Sequence, residues 1–237
     1  IYDVGGIAGQ IQRGRLSMVQ SSGMIRGTDS VGGLVGYQEG STIEDSSSTA
    51  EVGAGGNLPS HAGGLIGRAG GGSTAPAFVA RSSYNGLVVG SSQVGGIAGS
   101  ALNYFSFSDL QAQGSVWGRS TVGGIVGWTM GYPTNAVTQR QRLSSNNAVH
   151  ANPQSGIAGG IVGQAAYTNI RHASSLGSVA LDNGTPIAQG INSNCPFSYL
   201  GGIVGCASVS VIRETRSQAY LLGPSTRPIA GRPAVGG

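Results

Sequence analysis

Val31-Gly32-Gly33-Leu34-Val35-Gly36 recurs along this chain with the same order of glycine and aliphatic residues. The phrase stands earlier at Val4-Gly5-Gly6-Ile7-Ala8-Gly9 and later at Ala62-Gly63-Gly64, Val94-Gly95-Gly96, Val122-Gly123-Gly124, Ala158-Gly159-Gly160 and Leu200-Gly201-Gly202. An eighth begins at Val235-Gly236-Gly237. The first glycines are Gly5, Gly32, Gly63, Gly95, Gly123, Gly159, Gly201 and Gly236, so successive repeats run 27, 31, 32, 28, 36, 42 and 35 residues. Self-similarity at this period marks a stacked-repeat architecture.

Downstream of each phrase a second pattern keeps step. A large apolar residue follows at Leu16, Ile43, Val79, Phe107, Ile170 and Ile212. A small residue comes next at Gly23, Ala50, Gly86, Gly114, Gly177 and Ala219, then an aliphatic one at Ile25, Val52, Val88, Val116, Val179 and Leu221. The fifth repeat is degenerate, with Arg140 where the first apolar residue belongs, although Asn147, Val149 and Ala151 keep the later spacing. The alternation has period two, which predicts strands between glycine-rich joints. Glycine, 44 of 237 residues, is far above the usual roughly 7%, and each one inside a helix would cost about 1 kcal/mol relative to alanine.

The fold expected is therefore all-β: a single parallel β-solenoid, or β-helix, over 1–237, with about seven coils of three short strands. One strand is expected at the glycine phrase, one at the middle apolar residue and one at the small-x-Val stretch. Ile7, Leu34, Leu65, Ile97, Ile125, Ile161 and Ile203 should stack at about 4.8 Å per coil, giving a rod roughly 34 Å long. Paired glycines suit a corner that needs either positive φ or close backbone approach. The chain starts just before one phrase and stops inside another, without the polar caps that solenoid ends carry. It reads as an excerpt of a longer repeat protein whose coils continue past Gly237.

Gly33-Leu34-Val35-Gly36, followed by Ile43-Glu44-Asp45-Ser46 and Val52, resembles the GLUG motif, a repeat of large bacterial surface proteins that include adhesins and IgA-specific metalloproteases. Val19, Leu110, Ala173 and Thr215 stand where Ser46 does, while Ser82 keeps the serine. The resemblance implies a secreted or cell-surface location and brings no catalytic residues with it.

Composition fits an extracellular scaffold. The 13 basic residues, all arginine, and the 9 acidic ones give a net charge of +4. The arginines are scattered, apart from Arg140 and Arg142, without the basic face and interleaved aromatics of a nucleic-acid binder. No run of 18 apolar residues is present to span a membrane. His61, His150 and His172 fall in different repeats with no HExxH pairing, and two cysteines alone make a poor metal site. The adjacent Glu44 and Asp45 are expected on opposite faces of a strand. Asp29, Asp45 and Asp109 are expected at different points of the coil, which denies a glycosidase its carboxylate pair. No catalytic residue, metal or cofactor is assigned.

Four other features are singled out. Cys195, in the long insertion after the sixth coil, and Cys206, just after the seventh phrase, are expected to form a disulfide in an oxidising compartment. Such a short loop gains roughly 2–3 kcal/mol in the chain-entropy picture. Asn183-Gly184-Thr185 is a glycosylation sequon followed by Pro186, and reads first as an ordinary Asn-Gly turn. The outward position next to Val116 carries Trp117, and its equivalents are Arg26, Gly53, Val89, His150, Ala180 and Leu222. With Trp128 and Tyr132, this strip is a candidate interface to like rods, other domains or a sugar ring. Folding of the long-repeat loops over it is the equal alternative. Three functions follow in order: a non-catalytic structural or adhesive rod, a carbohydrate-binding or carbohydrate-cleaving β-helix, and an ice-binding solenoid, the last disfavoured because no Thr-x-Thr occurs.

Overall fold

The computed structural model describes residues 2–55, 57–131, 142–152, 156–181, 198–222 and the strand Val235–Gly236. Every described strand pairing between coils is parallel and advances by one coil, so the chain winds as a parallel β-solenoid. The first sheet has eight strands, running from Asp3–Gly5 through Ser30–Gly32 and His61–Gly63 to Val235–Gly236. The second has seven, from Ala8–Gln12 and Val35–Glu39 to Val204–Ser208. The third wall carries the rest of each coil.

The coil is divided differently from the expectation. The glycine phrase is two strands in two sheets, reversing direction at Gly33-Leu34, while the middle apolar residue and the small-x-Val stretch share one wall. In the third and fourth coils that wall is continuous, at Ala77–Val89 and Phe105–Gly118. In the first coil it is broken into Arg15–Ser17, Gln20–Ser21 and Met24–Ile25. The reversal is held by the coil above: the amides of Leu34 and Val35 both donate to the Leu65 carbonyl, at 2.8 and 3.0 Å. The amides of Leu65 and Ile66 do the same to Ile97, and those of Ile97 and Ala98 to Ile125.

Close approach, not positive φ, explains the paired glycines. A Cβ on Gly32 would lie under 3.0 Å from the Val35 carbonyl of its own coil, and one on Gly33 under 3.0 Å from the Gly64 carbonyl of the next. A Cβ on Gly67 would strike the backbone of Ser30, Val31 and Gly36 in the coil below. Each phrase is thus a tight arch whose two arms and stacking neighbours meet backbone to backbone. Opposite Gly33 the inward residue is Ser48, and opposite Gly124 it is Ser145. Opposite Gly64 it is Tyr84, which occupies the space that side chains on Gly64 and Gly86 would need and donates its hydroxyl to the Ala50 carbonyl at 2.8 Å.

Leu34, Leu65, Ile97, Ile125 and Ile161 are fully buried in one column, backed by Ile43, Val79, Val52, Val88, Val116 and Val149. Each such side chain contributes on the order of 1.5–3 kcal/mol by leaving water. Ile7, in the first coil, is 45% exposed.

Candidate functional site

Turns of the third wall decide which side chains reach solvent. Met18, Asp45, Arg81, Asp109, His172 and Glu214 share a left-handed conformation with φ between 47° and 55°. With Arg142 they form one column, because the flanking residues pair in register from coil to coil. Left-handed φ is uncommon outside glycine, so something must stabilise it. In the second coil Ser46 does: its hydroxyl reaches back over Asp45 to the Glu44 carbonyl at 2.6 Å. Ser82 repeats the bond over Arg81 to Ala80 at 2.7 Å. A second left-handed corner uses the same device, with Ser41 bridging Gly40, Thr168 bridging Tyr167 and Ser210 bridging Val209.

Parallel, in-register stacking brings like residues together, so a charged column needs alternating signs. This one alternates through Asp45, Arg81, Asp109 and Arg142, and ends on His172 and Glu214. Arg81 binds Asp45 through Nε and Nη2 at 2.7 and 2.8 Å, and Glu44 through Nη2 at 2.9 Å. Arg15 binds Glu44, Arg142 binds Asp109, and His172 Nε2 meets Glu214 at 2.8 Å. Arg15 and Arg81 hold the Glu44 carboxyl below its ordinary pKa, while Arg81 lowers Asp45 and Arg142 lowers Asp109.

Two expectations are corrected by this column. Glu44 and Asp45 do not face opposite ways, because the left-handed turn at Asp45 breaks the two-residue alternation and both carboxylates converge on Arg81. Asp45 and Asp109 do not occupy different points of the coil; they are stacked two coils apart with Arg81 between them. Asp29 lies elsewhere, before the first-sheet strand, 3.3 Å from His61 Nδ1. Burial lowers the His61 pKa, against the opposing charge of Asp29.

At the far edge of the third wall, Val89, Trp117, His150, Ala180 and Leu222 stand in register, as the spacing predicts. Trp117 is 40% exposed. Its ring stacks on His150 with centroids 3.9 Å apart and planes 3° from parallel. The two faces meet along the rod axis, so a sugar stacking on this side of the indole would have to displace His150. Trp128 is not part of this strip. It belongs to the second sheet, between Ser100 and Gln164, and is half-buried. Tyr132, Asn183 and Cys195 lie outside the described residues; Cys206 is half-buried on the second sheet, paired in register with Gln164.

Among the described residues no group of three or more His, Cys, Asp or Glu could hold a metal ion. Among the described residues no helix is long and apolar enough to cross a membrane.

Residues 27–53 match the family model of the GLUG motif. That span is one coil: it contains the arch at Gly32–Gly36, the Asp45 corner with its Ser46 bridge, and Val52. The other phrases align on it through the register of the first sheet, Val31 with Ala62, Ala62 with Val94 and Val94 with Val122. No curated protein and no solved structure matches the chain.

Proposed function

We propose that this chain is a non-catalytic structural and adhesive rod, a stalk or filament segment of the cell surface or extracellular space. The observation that supports it most is the uninterrupted stacking of glycine arches. Each coil is joined to the next along three walls by backbone hydrogen bonds and backbone packing, so a load along the axis is shared by many bonds at every coil. The GLUG match at residues 27–53 supports a surface location. A Cys195–Cys206 disulfide belongs to the same reading, since an oxidising compartment permits it. Partners would be like rods or other domains, with Val89, Trp117 and Leu222 offering the lateral contact.

The test uses native producing cells. Antibody against the chain should label intact cells, and external protease should release the label. Label seen only after permeabilisation would overturn the location. Beads coated with the purified chain should resist detachment from their target surface under flow. Turnover of any substrate by the purified chain would overturn the non-catalytic part.

A further inference from the structure

The outer face of the third wall carries a groove of about 280 Å³ across the fourth to sixth coils, bordered by Asp109, Gln111, Arg142, Ser144, His172 and Ser174. Its size is just below the roughly 300–1,000 Å³ of drug-sized ligand sites, enough for a single sugar ring.

The register explains why a hollow forms here. One outward column reads Gln20, Ser47, Ser83, Gln111, Ser144, Ser174, Arg216 from the first coil to the seventh. Long side chains flank a pair of serines, and the serines leave a notch between them. The Ser144 and Ser174 hydroxyls lie 3.4 Å apart on its floor. The corner column forms the other rim, where Arg142 is bound to Asp109 and His172 to Glu214.

The chemistry of the groove selects its ligand. Amide and hydroxyl groups offer both donors and acceptors, whereas the charged groups come in opposed pairs. An anion would meet Asp109 and Glu214 beside any cation it sought, and a cation would meet Arg142. We propose that the groove binds one residue of a neutral, hydroxyl-rich glycan, with Gln111, Ser144 and Ser174 hydrogen-bonding its hydroxyls and the Asp109–Arg142 pair at its rim. The proposal rests on the adhesive reading and gives it a ligand class.

The order long-Ser-Ser-long occurs twice, first as Gln20, Ser47, Ser83, Gln111. The two serine pairs lie three coils apart, about 14 Å at about 4.8 Å per coil. A glycan of several units laid along the rod therefore reaches both, and longer oligomers should bind more tightly through effective concentration.

Saturation-transfer NMR on the full chain tests this with neutral hexamers of β-1,4-glucose, α-1,4-glucose and β-1,4-N-acetylglucosamine, and with a heparin hexasaccharide. At least one neutral hexamer should bind with Kd of about 1 mM or tighter, more tightly than its trimer. The double substitution Ser144→Leu, Ser174→Leu fills the notch and should weaken binding at least tenfold with an unchanged far-ultraviolet spectrum. Should that variant misfold, Gln111→Ala on the same exposed face should weaken binding at least threefold. Failure of every neutral hexamer to bind, preference for heparin, or affinity indifferent to these substitutions overturns the proposal. Beads that still adhere while neutral glycans fail to bind would overturn the groove alone; beads that also detach would overturn the adhesive reading with it.

Discussion

The glycine arch and the third wall are built from the same chain at the same pitch, yet they tolerate change very differently. Each arch packs backbone on backbone, above, below and across its own turn, so its sequence barely varies between Gly5 and Gly201. The third wall has an inner face fixed by the core and an outer face that meets water. It accepts breaks in the first coil, fusion into one long strand in the fourth, and serine, glutamine, arginine or tryptophan at equivalent outward positions. Structure is enforced on one side of the rod and chemical variety is available on the other, which is why both the charged column and the groove lie on the third wall.

The sharpest way to break this contrast is with a single methyl group. Gly33→Ala would place Cβ against the Gly64 carbonyl and Ser48, neither able to withdraw without moving a coil. A loss of about 3 kcal/mol or more is expected. Gly72→Ala, where a Cβ meets nothing within 4 Å, should change stability by less than about 0.5 kcal/mol. Urea unfolding of both variants checks the pair; similar losses would mean that the arch is not the constrained region.

Core truncation comes next. Leu65→Ala empties a fully buried site with a coil on either side and should cost about 2–5 kcal/mol. Leu87→Ala, half-buried on the outer face of the third wall, should cost under about 1 kcal/mol. Thermal unfolding would reverse the order only if the third wall were covered.

Much of this fold was legible in the residues because its cause is local and repeated. The phrase at Val31–Gly36, the inward series Ile43, Ala50 and Val52, and the outward series Val89, Trp117, His150 and Ala180 all follow from period and register. The split of the phrase into two sheets was not legible, because glycine permits an extended strand and a tight reversal alike. The corner column was hidden for a different reason. Asp45, Arg81 and Asp109 have no common residue type, and Arg81 lies 18 residues after the first glycine of its phrase where Asp45 lies 13 and Asp109 14. Only the hydroxyl at Ser46 and Ser82, one place beyond the left-handed residue, was a sequence signal, and its role as a bridge emerges from the backbone. Glu44 and Asp45 were misplaced for the same reason, since strand alternation stops at a left-handed residue. Trp128 could not be separated from Trp117 by composition; the sheet to which each belongs decides it.

Trp117→Ala probes the outer wall at intermediate cost. Loss of the stack on His150 should lower stability by about 0.5–1.5 kcal/mol beyond its area term, with adhesion of coated beads unchanged. Unchanged stability with lost adhesion would make Trp117 a contact to the adhesion target instead.

The smallest effect concerns pH and belongs to the corner column. Glu44, Asp45 and Asp109 have folded pKa values lowered by hydrogen bonds from Arg15 and Arg81, from Arg81, and from Arg142. A carboxylate with a depressed folded pKa contributes stability that is complete above its unfolded value, about 3.9 for Asp and 4.3 for Glu. That contribution is lost as pH falls through the folded value. The melting temperature should therefore decline below about pH 4, and Arg81→Gln should flatten the decline by removing the partner of Asp45 and one of the two partners of Glu44. Glu44 is buried, but its arginine partners face solvent and Asp45 and Asp109 are part-exposed; screening there keeps each pair's contribution small, so the shift should be a few degrees and shrink in high salt. A decline of the same steepness in Arg81→Gln would show that the alternating charges do not help hold neighbouring coils together.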